Sequence, residues 1–153
     1  MSTDHKKTIK TLHDLIQINR EGERGYKEAS ENIDLPEFKT LLYRLSQQRA
    51  LFRGELEDIL HKDFKDDAIV KDSIASKAHR TWMDFKSALT GHDNKAVLDE
   101  CERGEEHAIK AYGEVFDGRL PDYIEKVALN QLELIRGTLS QVREFKYEIQ
   151  ETH

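Results

Sequence analysis

Apolar residues recur at alternating steps of three and four along five stretches of this chain. This spacing places them on one face of an α-helix. The pattern predicts helices over residues 4–32, 36–61, 73–89, 94–116 and 121–150. Each predicted helix has a polar opposite face, as expected where only one stripe of a helix is buried.

Two of the breaks between these helices are short and alike. Leu35-Pro36 ends the first break, and Leu120-Pro121 ends the last. Asp34 is positioned to cap the second helix, and Pro36 suits its first turn. Because short links force neighbouring helices to run antiparallel, the sequence predicts two helical hairpins.

The predicted helix over 73–89 falls in the long connection between the hairpins, after a charged stretch over 62–72. A chain of 153 residues suffices for one domain with a real core. We therefore predict a single all-α domain over residues 1–153. Its expected architecture is an antiparallel four-helix bundle with an extra short helix in the crossover connection.

The two hairpins also share a local sequence. A Gly-Glu pair occurs in the first predicted helix as Gly22-Glu23 and again, 82 residues later, as Gly104-Glu105. The repeat suggests that the bundle arose by duplication. A glycine inside a helix costs up to about 1 kcal/mol relative to alanine. We hypothesise that Gly22 and Gly104 let a neighbouring helix approach closely.

Four polar residues interrupt the apolar stripes: Glu23, Gln48, Glu105 and Gln131. At about 1.5 Å per residue, each lies roughly 16–21 Å from the nearer hairpin break. The four side chains, with Asn19 one turn from Glu23, are therefore expected to share one layer of the bundle. A divalent metal ion bound by Glu23, Gln48, Glu105 and Gln131 is one interpretation of this layer.

Other interpretations of the layer remain open. A buried carboxylate must be paired, coordinated or protonated, because its desolvation costs several kcal/mol. Arg49 and Arg136 are close enough in sequence to neutralise it, and two carboxylates sharing a proton is a third solution. The polar layer can also be structural, fixing helix register with amide, arginine, tyrosine or water partners.

The arrangement resembles the ferritin-like superfamily. Runs 22–29, 48–56 and 102–105 are similar to an uncharacterised bacterial family of such bundles, known as a domain of unknown function in small stress-associated proteins. The resemblance covers nearly the whole chain. It implies a ferritin-like fold and a degenerate metal site, without implying an established reaction.

The resemblance also assigns positions within the site. Di-iron members of the superfamily carry a Glu on each of two helices and Glu-x-x-His on the other two. Glu23 and Glu105 stand at the two single-Glu positions. Gln48 and Gln131 stand at the Glu-x-x-His positions, and both histidines are missing. Oxygen donors alone favour a weakly bound hard ion over a redox di-iron pair.

Composition narrows the remaining classes of function. The net charge of -6 and the lack of a basic stripe argue against nucleic-acid binding. No apolar run is long enough to cross a membrane, and a single cysteine, Cys101, rules out an intrachain disulfide. Cytoplasmic location is the default expectation.

The expected function is that of a non-catalytic bundle with no catalytic residue and no resident cofactor, acting in a stress or assembly context. The alternative is an iron- or manganese-binding oxidative or storage protein that uses Glu23 and Glu105. The long last helix leads us to expect a homo-oligomer, most simply a dimer. We expect neither a nucleic-acid partner nor a membrane partner.

Overall fold

Four long helices account for most of the described chain. A computed structural model describes residues 3–65, 94–118 and 120–152. The helices are α1 (Thr3–Asn32), α2 (Pro36–Phe64), α3 (Asn94–Gly113) and α4 (Asp122–Thr152). These ranges contain no strand, so the all-α prediction is confirmed, and none of their helices is long and apolar enough to cross a membrane. The predicted helix over 73–89 lies outside the described residues.

The ends of α2 differ from the prediction in two ways. Pro36 does begin the helix, but Leu35 is the capping residue and no side chain caps it, so the predicted role of Asp34 is wrong. Leu35, in extended conformation, separates Asp34 from the free N–H groups. At its other end α2 continues to Phe64, three residues beyond the prediction. There Lys65 takes a left-handed conformation and donates its backbone N–H to Leu60 O.

The link between α3 and α4 begins earlier than expected. α3 ends at Gly113 rather than at residue 116, because the backbone tightens into a turn in which Val115 N–H donates to Tyr112 O. Gly118 then adopts a φ of 89°, a conformation that side chains disfavour. The link therefore uses glycine where the chain reverses.

Side-chain hydrogen bonds fix the direction of α1 against α3. Asn19 on α1 contacts Tyr112, whereas Tyr26, two turns later on α1, contacts Glu105. Advancing along α1 therefore means moving backward along α3. The two helices run antiparallel.

The same reasoning orients α2 against α4. Thr138 contacts Gln48, and Gln131 contacts Glu55. α2 and α4 are therefore antiparallel, and since α1 is also antiparallel to α2, α2 runs parallel to α3. Consequently α2 ends at the opposite end of the bundle from the start of α3.

The buried apolar side chains form two clusters at different levels. One lies toward the α3–α4 link, and the other lies toward the α1–α2 turn. The first cluster contains Leu12, Ile16, Phe52, Leu56, Ala108, Ile124 and Ile135, among others. The second contains Tyr26, Ala29, Phe38, Leu42, Leu45, Leu98, Cys101 and Val142, among others. Between the two clusters, the inward positions of α1, α2 and α3 are polar: they are Asn19, Arg49 and Glu105.

Candidate functional site: a buried polar layer

Glu105 lies at the centre of this layer. It follows Cys101 by one turn of α3 and precedes Ala108 by another, and all three side chains are buried. The Glu105 side chain is 0% exposed. Its Oε1 accepts hydrogen bonds from Arg49 Nη2 on α2 and, at 2.7 Å, from the Tyr26 hydroxyl on α1. One carboxylate oxygen therefore joins three helices.

Arg49 neutralises this carboxylate from the middle of α2. Its side chain is 1% exposed, an unusual position for a guanidinium, and its Nη1 also donates to Asn19 Oδ1 at 3.3 Å. The space that it occupies depends on Gly22. A Cβ at Gly22 would lie 3.1 Å from Arg49 Nη1 and 3.2 Å from its Cγ. The close approach expected at Gly22 therefore involves the arginine side chain.

The layer continues from Asn19 to the fourth helix. Asn19 Nδ2 donates to the Tyr112 hydroxyl at 2.7 Å, and that hydroxyl donates to Gln131 Oε1 at 2.6 Å. Gln131 Nε2 in turn donates to Phe52 O and to Glu55 Oε1, each at 3.2 Å. An unbroken chain of hydrogen bonds thus runs through all four helices.

The charges in the layer stabilise one another. Burial is the largest single influence on Arg49 and would lower its pKa, but electrostatic interactions with Glu105, Tyr26 and Tyr112 and the hydrogen bond to Glu105 together raise that pKa above its ordinary value. Burial and then the Glu105 charge raise the pKa of Tyr26 well above its ordinary value, so Tyr26 stays a neutral donor. The charged form of Arg49 and the neutral form of Tyr26 are therefore the forms that can donate the observed hydrogen bonds to Glu105.

Two polar atoms in the layer have no hydrogen-bond partner among the described residues. They are Glu105 Oε2 and Arg49 Nε, both buried. Burial, followed by the charge of Glu105, also raises the pKa of the Cys101 thiol, which keeps it protonated. The environment of Glu105 thus combines one charge-paired oxygen, one buried oxygen without a partner among the described residues and a neutral thiol one helical turn away.

Glu23 lies outside this layer. Its side chain is 32% exposed and its Oε1 accepts a 3.0 Å hydrogen bond from Arg53 Nε, while Arg53 Nη1 donates to Glu57 at 2.8 Å. The expectation that Glu23 points into the core therefore differs from the structure. Gly22 takes the inward position on α1, and Glu23 is turned to the side where α1 meets α2.

The two glutamines also have separate surroundings. Gln131 is fully buried, as expected, whereas Gln48 is only half-buried at the α2–α4 boundary. Gln48 Oε1 accepts a 3.0 Å hydrogen bond from Thr138 Oγ1. Of the four candidate ligands, the structure places Glu105 and Gln131 in one network and Glu23 and Gln48 outside it.

The side-chain oxygens of the four candidates do not fit a metal ion as they stand. Glu105 Oε1, Gln48 Oε1 and Gln131 Oε1 each accept a hydrogen bond from a protein group, and a guanidinium cation faces the buried carboxylate. Among the described residues, no three His, Cys, Asp or Glu side chains group together as a metal site would require. An arginine partner for the core carboxylate was one of the solutions expected from the sequence.

Two residues of the network had only core positions in the sequence pattern, and one arginine considered as a partner lies outside the network. Tyr26 and Tyr112 fit the apolar stripes, and only their buried hydroxyl groups, which need partners, could have indicated more. Arg136, the other arginine considered, stays on the surface, where its Nη1 lies 2.7 Å from Glu133.

In the described part of the chain, the fold and the site together define an all-α arrangement of four helices around a buried ion pair. Residues 7–118 match the model of the family described as Domain of unknown function (DUF2383). The chain belongs to this family. The match spans most of α1 and all of α2 and α3, which supply the Arg49–Glu105 pair, Tyr26 and Asn19. No curated protein matches the chain.

Proposed function

We propose that this protein is a non-catalytic, ferritin-like bundle in which an arginine takes the role that a metal ion plays in di-iron relatives of that superfamily. The ion pair between Arg49 and Glu105 carries the proposal. Both side chains are almost completely buried, and the guanidinium is the cation that compensates the core carboxylate.

The ferritin-like part of the proposal rests on helix direction. α2 runs parallel to α3, so the end of the first antiparallel hairpin and the start of the second lie at opposite ends of the bundle. Bundles that join two such hairpins by a single long crossover include the ferritin-like folds. The position of Glu105 on α3 is also the position that the resemblance gives to a single-Glu ligand.

The non-catalytic part rests on the chemistry of the donors. A metal ion at Glu105 would have to displace Arg49, and displacement would leave a buried guanidinium without its carboxylate. Breaking such a pair costs about 3–5 kcal/mol, which a weak oxygen-only site does not readily offset. We infer that the layer holds helix register, as buried polar groups do in some other bundles.

Metal loading tests this proposal directly. Wild-type protein would be incubated with excess Mn²⁺ or, without oxygen, Fe²⁺, then desalted and analysed for metal. We expect no more bound metal in wild type than in Glu105→Gln, with Glu23→Gln as the matched surface control. Stoichiometric uptake that Glu105→Gln abolishes would instead support the alternative metal-binding function.

The stress-associated role implied by the resemblance belongs to the same proposal. It leads us to expect that deletion of the gene in its native host lowers survival under stress. An Arg49→Met/Glu105→Leu double variant should restore survival if the layer is purely structural. Restoration by wild type alone would show that the charged pair itself is needed.

A further inference from the structure

One boundary of the bundle carries exposed leucines from two adjacent helices. Gln48 and Glu55 on α2 contact Thr138 and Gln131 on α4, which defines the seam between these helices. Leu51 lies between Gln48 and Glu55 on the same side of α2, as Leu134 lies between Gln131 and Thr138 on α4. We call the outer surface at this level the seam face.

The two leucines are unusually open to solvent. Leu51 is 64% exposed and Leu134 is 46% exposed, and the register of the seam puts them at the same height. The exposed residues next to them, Gln47, Asn130 and Gln141, are uncharged. The charged residue at this level, Glu55, is half-buried and accepts a hydrogen bond from Gln131. Since 35% of the chain is charged, two leucines with uncharged exposed neighbours form a distinct strip of surface at mid-height.

Two glycines border this strip. Gly54 and Gly137 each lie three residues after one of the leucines, and a Cβ at either position would meet no atom within 4 Å. Packing against the described residues therefore does not explain them. A glycine on an outward helix surface lets another backbone come close.

The charges at the ends of the strip are self-complementary. Arg44, Leu51 and Asp58 repeat at seven-residue intervals on α2, so they lie on one stripe, and all three are exposed. If a second α2 packs antiparallel on this stripe, Leu51 meets Leu51. Arg44 then faces Asp58 of the partner subunit, and Asp58 faces the partner's Arg44.

We propose that the seam face is the interface of a symmetric homodimer, in which α2 packs antiparallel on α2 of the second copy and α4 packs on α4. A two-fold axis makes such a contact isologous, so one surface serves both subunits. The leucines form its apolar centre, and the Arg44–Asp58 pairs fix its direction. Opposite charges at the rim mainly provide this specificity.

Sedimentation velocity over a dilution series tests the interface. Wild type should sediment as a dimer that dissociates on dilution, whereas Leu51→Lys and Leu134→Lys should each weaken dimerisation by more than about tenfold. Leu129→Lys is the matched control, because Leu129 is 47% exposed on α4 but is turned away from the seam. Circular dichroism on each variant checks that the helices remain.

Charge exchange tests the arrangement. Arg44→Glu should weaken the dimer by placing two acids together, and Arg44→Glu/Asp58→Arg should restore it because the pairs are re-formed with reversed sign. Restoration would support the antiparallel α2 contact, and failure to restore would overturn it.

Two further results would overturn the proposal. One is a wild-type chain that stays monomeric at all concentrations, which leaves the face to another protein or to a different segment of this chain. The other is a dimer that Leu129→Lys disrupts as strongly as Leu51→Lys, which places the interface elsewhere.

Discussion

The two Gly-Glu pairs have the same sequence and opposite environments. Glu105 on α3 is completely buried and bonded to Arg49 and Tyr26, whereas Glu23 on α1 is 32% exposed and paired with Arg53 on the surface. Each carboxylate has an arginine partner on α2. What differs is which residue of the Gly-Glu pair faces the core most directly.

The difference comes from the order of steps along the two helices. On α1 the core positions run from Asn19 by three residues to Gly22 and by four to Tyr26. On α3 they run from Cys101 by four residues to Glu105 and then by three to Ala108. Both orders satisfy helical periodicity. The repeat in sequence therefore does not imply a repeat in structure.

The bulk of the Arg49 side chain explains why α1 places Gly22, rather than Glu23, toward the core. Arg49 lies against Gly22, and a Cβ there would come within 3.1–3.3 Å of three of its atoms, so Arg49 would have to shift. A carboxylate at the inward position of α1 would compete for the same volume. Within the layer, the one buried arginine is thus matched by one buried carboxylate, Glu105, so the pair carries no net charge.

The largest expected effect separates the two carboxylates. Glu105→Gln leaves the buried Arg49 guanidinium without a counter-charge, so we expect a loss of about 3–5 kcal/mol in the free energy of unfolding. Glu23→Gln removes a partly exposed ion pair and should cost less than about 1 kcal/mol. Chemical denaturation of both variants measures the difference. Equal losses would contradict the contrast between the two environments.

Alkaline pH should weaken the buried layer and spare the surface pair. The pKa of Tyr26 and that of Tyr112 are raised, chiefly by burial, above their ordinary value of 10.0. A tyrosine held neutral in the fold stabilises it fully below that value. Above pH 10.0 the tyrosines of the unfolded chain ionise while those of the folded chain are still neutral, so this stabilisation is lost. The free energy of unfolding then falls by about 1.4 kcal/mol per pH unit for each tyrosine.

Thermal unfolding measured on both sides of this pH provides the check. Tyr112→Phe should show a shallower decline of stability at high pH than wild type, although its stability at neutral pH is lower. Tyr43→Phe, which removes an exposed tyrosine on α2, serves as the control and should keep the wild-type slope. Identical slopes for Tyr112→Phe and wild type would argue against the buried neutral hydroxyl.

Gly22→Ala tests the space beside Arg49. The new Cβ would lie 3.1–3.3 Å from three atoms of a buried guanidinium side chain that is held by Glu105 and Asn19. We expect a net loss of about 1–2 kcal/mol from overpacking, despite the better helix propensity of alanine. Gly54→Ala, where the same Cβ meets open space, should instead raise stability by up to about 1 kcal/mol at concentrations where the chain is monomeric. Denaturation midpoints that rise for both variants would remove the argument from Gly22.

The smallest effect concerns salt. The Arg53–Glu23 pair is in contact with solvent and should be screened, so Glu23→Gln should lose its small destabilising effect at about 1 M salt. The cost of Glu105→Gln should change little, because water and ions do not reach that carboxylate. Denaturation of both variants at low and high salt gives the comparison, and a strong salt dependence for Glu105→Gln would indicate that its site is open.

Periodicity predicted the helices well. α1, α2 and α4 begin and end within three residues of the predicted bounds, because long amphipathic stretches with a proline or glycine break leave little choice. The cap at Leu35 was not predictable in this way. Asp34 has the preferred side chain, but the backbone bonds that start α2 begin at Leu35 O.

The candidate site was predicted in part. Glu105, Gln131 and Asn19 do share the buried layer, because their steps along each helix place them inward at similar height. Glu23 could not be excluded by the same reasoning, since it and Gly22 differ by a single step. Only the volume and charge of Arg49, supplied by another helix, distinguish the two positions.

The Arg49–Glu105 pair has a consequence for the order of folding. It bonds α2 to α3 and so joins the two hairpins, whose own contacts involve residues closer in sequence. Contacts between segments far apart in sequence tend to form late, after the entropy of closing the chain has been lost. A mutation at a residue whose bonds form only after the folding transition state mainly changes the unfolding rate. Changes at Glu105 should therefore shorten the lifetime of the native protein far more than they delay its formation.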